Sequence, residues 1–168
     1  MLKKVVVLIA VVMTLGGTSY AQTLKLGYIN SLELLSLMPA VATADKQLET
    51  YAAGLDNTLE SMYKEYDTKI KDYQKNQELW PPSTLEIKQK EIIDLEKRIG
   101  EFEQTIQRDI NKKRESLYAP ILEKADVAIK AVATEGKYTY IFDASTGSLL
   151  FADESEDILP KVKAKLGL

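Results

Sequence analysis

The stretch Trp80-Pro81-Pro82-Ser83 divides the chain into two arms. Apolar residues recur at spacings of three and four from about residue 43 to 77, and again from about 84 to 135, as in amphipathic helices. A helix cannot run through adjacent prolines, because proline lacks an N–H donor and disfavours a helical residue before it. The sequence therefore predicts a long antiparallel helical hairpin with its tip at residues 80–83 and with Pro81 and Pro82 as the hinge.

Within both arms the apolar residues form heptad rows, the pattern of a coiled coil. The rows of the first arm are Leu59, Tyr66, Tyr73 and Trp80, and beside them Leu48, Leu55 and Met62. After Met62 the second row is predicted to slip to Ile70 and Gln77, a four-residue stutter. The rows of the returning arm are Leu85, Ile92, Ile99 and Ile106, and beside them Leu95 and Phe102. Ser83, with Glu86 three residues later, is predicted to cap the returning helix.

The segment before the hairpin predicts a strand and a short helix. Residues 24–29 alternate apolar with small or polar side chains, as a half-buried strand does. Asn30 or Ser31 can cap the next segment, and Glu33 lies three residues past Asn30 as a capping box requires, so a helix is expected over Leu32 to Met38. Pro39 is expected to end or kink this helix, and the first arm is expected to start near Thr43 or Asp45 after a connection.

The segment after the hairpin predicts two more strands and a last helix. Pro120 should kink the returning helix, and Gly136 should end it in a left-handed conformation. Residues 138–142 and 149–151 are rich in strand-forming residues, and residues 144–148 between them form a turn. A last helix is expected over residues 156–166, capped by Asp153 or Ser155.

The start of the chain has the features of a secretory signal peptide. Lys3 and Lys4 precede an apolar run from Val5 to Leu15, and Ser19-Tyr20-Ala21 offers small residues for cleavage. The run is too short for a membrane-spanning helix, although a retained anchor is the alternative. We expect cleavage after Ala21, which would leave residues 22–168 as a single domain.

Composition narrows the function classes. The chain of 168 residues carries 22 Lys+Arg against 25 Asp+Glu, so its net charge of −3 gives no argument for nucleic-acid binding. It contains no histidine, the commonest general base and metal ligand, and no cysteine, the thiol nucleophile. The stretch Asp143-Ala144-Ser145-Thr146-Gly147 faintly resembles an aspartic-protease motif, but these are also ordinary turn residues. We expect no enzyme activity and no cofactor or metal.

The predicted fold class is α+β, mainly α. A long antiparallel coiled-coil hairpin at residues 43–119 projects from a small β body formed by residues 22–42 and 120–168. Three short strands with little helical cover bury too little surface to be stable alone. Self-association of the body with closed symmetry is therefore expected, although these physical arguments leave the copy number open.

The two ends of the chain resemble the OmpH/Skp family of periplasmic chaperones. At the start, residues 25–31 (Lys-Leu-Gly-Tyr-Ile-Asn-Ser) precede a short helix that Pro39 ends. At the end, Gly136-Lys137-Tyr138, Phe142-Asp143 and Phe151-Ala152-Asp153 lead to a lysine-bearing helix. The resemblance covers all of residues 22–168 and consists of the order of short motifs around a long coiled-coil hairpin.

The resemblance implies a homotrimer in which three helical arms surround a cavity. It also implies an ATP-independent periplasmic holdase that binds unfolded outer-membrane proteins and prevents their aggregation before membrane insertion. A membrane surface is a further potential partner, through weak contact. Residues 69–90 carry five lysines against Asp72, Glu78 and Glu86, only a small positive excess. The alternative function is a structural coiled-coil adaptor of the cell envelope without chaperone activity.

Four residues near the tip are candidates for client contact: Tyr63, Tyr73, Trp80 and Ile93. Large apolar side chains suit the binding of unfolded chains, and aromatic ones bury much area with few rotatable bonds. The alternative is that these side chains only pack between the two helices. This alternative applies first to Tyr73 and Trp80, which lie in a heptad row, whereas Tyr63 and Ile93 lie off the main rows.

Overall fold

The structure is a computed structural model that describes residues 24–168, so the predicted signal peptide and its cleavage site lie outside the described residues. Within residues 24–168, two strands and four α-helices follow one another. They are β1 (Leu26–Ile29), α1 (Ser31–Leu37), α2 (Pro39–Asn76), α3 (Pro82–Glu135), β2 (Tyr140–Asp143) and α4 (Leu159–Leu166). Two 3-10 turns, Ala144–Thr146 and Glu154–Glu156, lie between β2 and α4.

The predicted fold class is confirmed: two long helices form a hairpin, and the chain ends form a small body with strands. Helix α2 has 38 residues and α3 has 54, so the arm extends roughly 55 Å from the body at 1.5 Å per residue. Lys69 of α2 contacts Glu91 of α3, and Tyr63 contacts Glu103, so the helices run antiparallel. Within residues 24–168, no helix is both long enough and apolar enough to cross a membrane.

Prolines begin both long helices, which corrects two predictions. Pro39 is the first residue of α2 and only Met38 separates α2 from α1, so the predicted connection to Thr43 is wrong. Pro82 likewise begins α3 after Pro81, and the predicted Ser83–Glu86 capping box is absent. Both corrections have the same physical reason. The first N–H groups of a helix have no hydrogen-bond partner within it, so a proline there, which has no N–H group, loses no hydrogen bond.

The parallel two-stranded sheet joins the two ends of the chain. Leu26 pairs with Tyr140 and Ile29 with Asp143. One face of the sheet, carrying the buried Ile29, packs on the core of the body. The Asn30 carboxamide accepts a hydrogen bond from the Glu33 N–H at 3.1 Å, so the predicted cap of α1 is confirmed.

The predicted third strand at residues 149–151 is wrong, since the described chain has only two strands. The second edge of β1 is already occupied, because the N–H of Ile158 donates to the carbonyl oxygen of Tyr28 at 3.0 Å. Residues 149–151 pair with neither β1 nor β2. Its side chains are almost fully exposed, with Leu150 at 96% and Phe151 at 86%.

The core of the body forms where α1, the start of α2, the end of α3 and α4 meet. Its buried residues are Ile29, Leu34, Met38, Ala44, Ile121, Ala125, Ala128, Val132, Ile158, Leu159 and Val162. Helix α3 continues through Pro120 to reach this core. Asp153 caps the 3-10 turn before α4 rather than α4 itself, which begins three residues later than predicted.

The end of α3 is built around the ring of Tyr138. The predicted left-handed stop at Gly136 is wrong, because Gly136 has φ −81° and Lys137 carries the positive φ of 56°. Gly136 is needed for space instead: a Cβ there would lie 2.4 Å from Cε2 of Tyr138. Gly27 contacts the other side of the ring, and the ammonium of Lys25 lies 4.2 Å from its centroid.

Alanine substitution is expected to have opposite effects on stability at two glycines, one that contacts the Tyr138 ring and one that contacts nothing. Gly136→Ala should destabilise the protein by about 1–3 kcal/mol, because the added methyl group displaces the Tyr138 ring. Gly54→Ala is the matched control: Gly54 lies within α2 with no atom near its missing Cβ, so alanine should stabilise by up to about 1 kcal/mol. Urea unfolding measures both. A Gly136→Ala protein as stable as the parent would contradict the role of this contact.

Candidate functional site

The arm is held together by a narrow seam, defined here as the α2 and α3 side chains that face each other. One row of the seam is half-buried throughout and consists of Ala52, Leu59, Tyr66 and Tyr73 on α2 and Trp80 in the turn that follows. In the other row Met62, Lys69, Ile70 and Asn76 are all half-buried. The burial of Ile70 agrees with the predicted stutter, but heptad spacing also continues through Lys69 and Asn76, and Gln77 is exposed beyond the end of the helix. Two helices bury only this seam, so most of the arm surface is exposed.

Two of the four candidate residues, Tyr63 and Ile93, are exposed on the arm. Ile93 is 54% exposed and Tyr63 is 47% exposed. The Tyr63 hydroxyl donates to Oε1 of Glu103 at 2.6 Å, and this hydrogen bond raises the pKa of Tyr63. The two side chains are not adjacent. Ile93 lies two residues after Glu91, and Glu91 pairs with Lys69. Lys69 is about one and a half turns nearer the tip than Tyr63.

The other two candidates, Tyr73 and Trp80, pack against each other at the end of the arm. Their ring centroids are 6.4 Å apart with an interplanar angle of 65°, an edge-to-face arrangement. Both side chains are half-buried. The structure therefore places this pair at the tip, apart from Tyr63 and Ile93, and it assigns the pair a packing role as well as a partly accessible surface.

The tip also carries two exposed apolar residues that the sequence analysis missed. Leu79 is 78% exposed and Ile87 is 59% exposed. Both lie off the heptad rows, so the reasoning that selected Tyr63 and Ile93 could have found them. With them, exposed apolar side chains occur at intervals from the middle of the arm to its end.

The turn at the tip lies between Asn76 and Pro82. The carbonyl oxygen of Asn76 accepts hydrogen bonds from the N–H groups of Leu79 and Trp80, at 2.9 and 3.1 Å. Pro81 is extended (φ −61°, ψ 153°), and its carbonyl oxygen accepts the first hydrogen bonds of α3. The two proposed hinge residues thus lie where the chain reverses.

The body presents a second apolar surface, here called the apolar face. It consists of the outward side of the sheet and the segment beside it: Leu26, Tyr28, Tyr140, Phe142, Leu149, Leu150 and Phe151. A cleft of about 210 Å³ lies between the sheet and this segment. The rings of Tyr140 and Phe142 are 6.4 Å apart and both are exposed. Monomeric proteins rarely expose so many contiguous large apolar side chains.

Asp143 has a structural role in the same region. Its carboxylate accepts hydrogen bonds from the Ser31 hydroxyl at 2.6 Å and from the N–H of Ser145 at 2.9 Å. Burial alone would raise the pKa of Asp143, but these hydrogen bonds outweigh it and lower the pKa to about 2. Asp143 therefore joins β2 to the start of α1 and to the following turn. The interpretation of residues 144–147 as a turn is confirmed, with Gly147 at φ 71°.

The described residues hold no group of three or more side chains suited to a metal ion. Exposed apolar side chains on the thin helical arm and the apolar face of the body are two surfaces of residues 24–168 that could bind a partner.

A small α/β body from both chain ends and a long helical hairpin between them define the structural class. The family model described as "Outer membrane protein (OmpH-like)" matches residues 25–166. The chain therefore belongs to the OmpH-like family, as its motifs indicated.

Known proteins similar to this chain support the same assignment. The Chaperone protein Skp of Yersinia enterocolitica is 23% identical over 150 residues, which cover 89% of this chain and 90% of that protein. The Chaperone protein Skp of Pectobacterium atrosepticum is 23% identical over 141 residues, covering 83% and 86%. The crystal structure of an OmpH-like protein from Caulobacter crescentus CB15 has a TM-score of 0.74 at 15% identity, covering 89% of this chain and 88% of that one, and so shares its fold.

Proposed function

We propose that this protein is an ATP-independent holdase of the periplasm that binds unfolded outer-membrane proteins and prevents their aggregation. The observation that carries the proposal is the series of exposed apolar side chains along the arm: Tyr63, Leu79, Ile87 and Ile93. The similarity of this chain to two Skp chaperones over most of their length supports the same proposal. The predicted signal peptide at residues 1–21 accounts for export to that compartment.

The physical mechanism is the summation of weak contacts. Each arm offers single apolar side chains separated by charged ones, so no single contact orders the client strongly. Several arms around one client would add such contacts while keeping bound chains apart. The energy comes from burying apolar surface, at about 25 cal/mol per Å², and the cycle therefore needs no nucleotide.

We propose further that the holdase is a homotrimer joined at the body. The apolar face supports this, because Leu150 and Phe151 are almost fully exposed in a single chain and Phe151 lines the same cleft as Phe142, whose ring is also exposed. Covering this surface with identical copies in closed symmetry leaves no copy with an uncovered apolar face. The arms of the copies would then project from one body.

The deciding experiment is an aggregation assay. An outer-membrane β-barrel protein is diluted from urea into buffer with or without residues 22–168, in the absence of nucleotide, and light scattering is followed. We expect the protein to suppress scattering at a ratio near one assembly per client. No suppression would reject the holdase and favour the structural adaptor of the envelope.

A double substitution tests the arm surface and leaves the heptad rows of the seam intact, although it removes the Tyr63–Glu103 hydrogen bond between the helices. Tyr63→Ser with Ile93→Ser should weaken client binding about tenfold, because each fully buried large apolar side chain contributes about 1.5–3 kcal/mol and these are covered only in part. The matched control is Val127→Ser, equally exposed on the body part of α3. Fluorescence titration with a labelled client measures both variants. Equal weakening by the two variants would contradict an arm-borne site.

A further inference from the structure

A lysine lies in the seam in the middle of the arm. Lys69 occupies a heptad position between Met62 and Asn76, where the pattern calls for an apolar residue, and its side chain is 30% exposed. Its ammonium lies 2.9 Å from Oε2 of Glu91 on α3. A polar residue at such a position gives up apolar burial in exchange for a directed contact between the helices.

The Lys69–Glu91 pair belongs to a small network of charges. Lys88 approaches the same Glu91 oxygen at 3.6 Å, and Glu65 approaches Lys69 at 3.8 Å. The hydrogen bond from Lys69 lowers the pKa of Glu91, so both partners are charged at neutral pH. Among the ion pairs within the arm, this is the one that joins α2 to α3.

The network lies at a boundary in packing. From Ile92 towards the body, α3 contributes four buried residues to the arm seam: Ile92, Leu95, Ile99 and Ile106. From residue 70 to residue 91, across the turn, no residue is buried. Segments with few buried apolar contacts open more readily than the rest of a structure. The tip segment, defined as residues 70–90, thus has little apolar burial to hold its two helices together.

We propose that Lys69, Glu91 and their neighbours Lys88 and Glu65 form an electrostatic clasp that sets how far the tip segment opens. The attraction between half-exposed charges is screened by salt, so the opening should increase with ionic strength. Apolar residues at the same positions would instead close the segment under all conditions. The clasp stands independently of chaperone activity, whereas its use in adjusting the arm to clients rests on the proposed function.

The test is amide hydrogen exchange of residues 22–168 at low and high sodium chloride, with peptides from residues 99–110 as the internal reference. In the parent protein, exchange in the tip segment should rise about threefold to fivefold relative to the reference at high salt. Glu91→Gln should show the faster exchange already at low salt and respond little to added salt. Lys69→Leu with Glu91→Leu should exchange more slowly than the parent at both salt concentrations.

The matched control is Asp67→Asn with Lys71→Gln. This removes one exposed pair of the same charges that lies within α2 only, so the tip segment should behave as in the parent. Salt-independent exchange of the parent tip segment would overturn the clasp, as would a Glu91→Gln protein indistinguishable from this control. No client is present, so the result is separate from success or failure of the aggregation assay.

Discussion

A protein lacking residues 64–96, with Tyr63 joined to Lys97 by a short glycine-serine turn, should fold and assemble but lose all protection of an unfolded outer-membrane protein. The body should survive because its core residues lie outside the deleted range, and Ile99 and Ile106 remain to pack the stumps. Protection should disappear because Ile93, Leu79 and Ile87 are removed together with the space between the arms. The aggregation assay and circular dichroism measure the two outcomes.

A shorter deletion controls for damage to folding. Removing residues 64–70 and 90–96 takes one heptad from each helix, which keeps the phase of the seam and retains the tip with Leu79, Trp80 and Ile87. The arm becomes roughly 10 Å shorter. We expect this variant to protect partially. Full protection by the armless body would place the binding surface on the body and remove the arm from the mechanism.

Leu150→Asp with Phe151→Asp should reduce the mass in solution from that of a trimer to that of a single chain. The two side chains are almost fully exposed in the isolated chain, so the substitutions remove no contact within it. In the assembly each would lose about 1.5–3 kcal/mol of apolar burial and place a carboxylate in an apolar contact. Association should therefore weaken by several orders of magnitude.

Light scattering of residues 22–168 measures this effect. Leu79→Asp is the matched control, since Leu79 is also highly exposed but lies at the tip, and its mass should equal that of the parent. A parent protein with the mass of one chain at micromolar concentration would reject the trimer. A variant that keeps the trimer mass would show that the copies meet through another surface.

Local patterns in the sequence predicted most of the fold. Spacings of three and four residues gave both long helices, because a two-helix seam needs nothing beyond that period. Alternation predicted β1, and the Asn30–Glu33 spacing predicted the cap of α1. These features depend only on residues a few positions apart, so the amino-acid sequence alone is enough to predict them.

The errors arose where one residue type satisfies more than one structural role. The sequence analysis treats Pro39 and Pro82 as helix breakers, yet the first position of a helix is where proline is favoured. It expects Gly136 for its left-handed conformation, whereas the Tyr138 ring requires its small size. The prolines are a matter of which of two local roles applies, and only the glycine depends on a side chain placed by tertiary packing.

The candidate site was harder to predict than the fold. Periodicity counts apolar residues and so leaves Lys69 out of the seam, whereas the position of Glu91 on the other helix explains a lysine there. Leu150 and Phe151 are strand-forming residues that pair with neither strand, and local composition does not show whether a segment finds a pairing partner. The choice of Tyr63 and Ile93 as client contacts stays a prediction.

The pairing of β1 with β2 also has a consequence for synthesis. The strands join parts of the chain that lie 114 positions apart, as Lys25 and Thr139 do. A ribosome adds about 5–20 residues per second, so β1 waits roughly 6–23 s for its partner to be made. During that interval the nascent chain carries an unpaired strand with Leu26, Tyr28 and Ile29, an edge prone to wrong pairing. Each new copy thus passes through the same hazard that we propose the finished protein relieves in its clients.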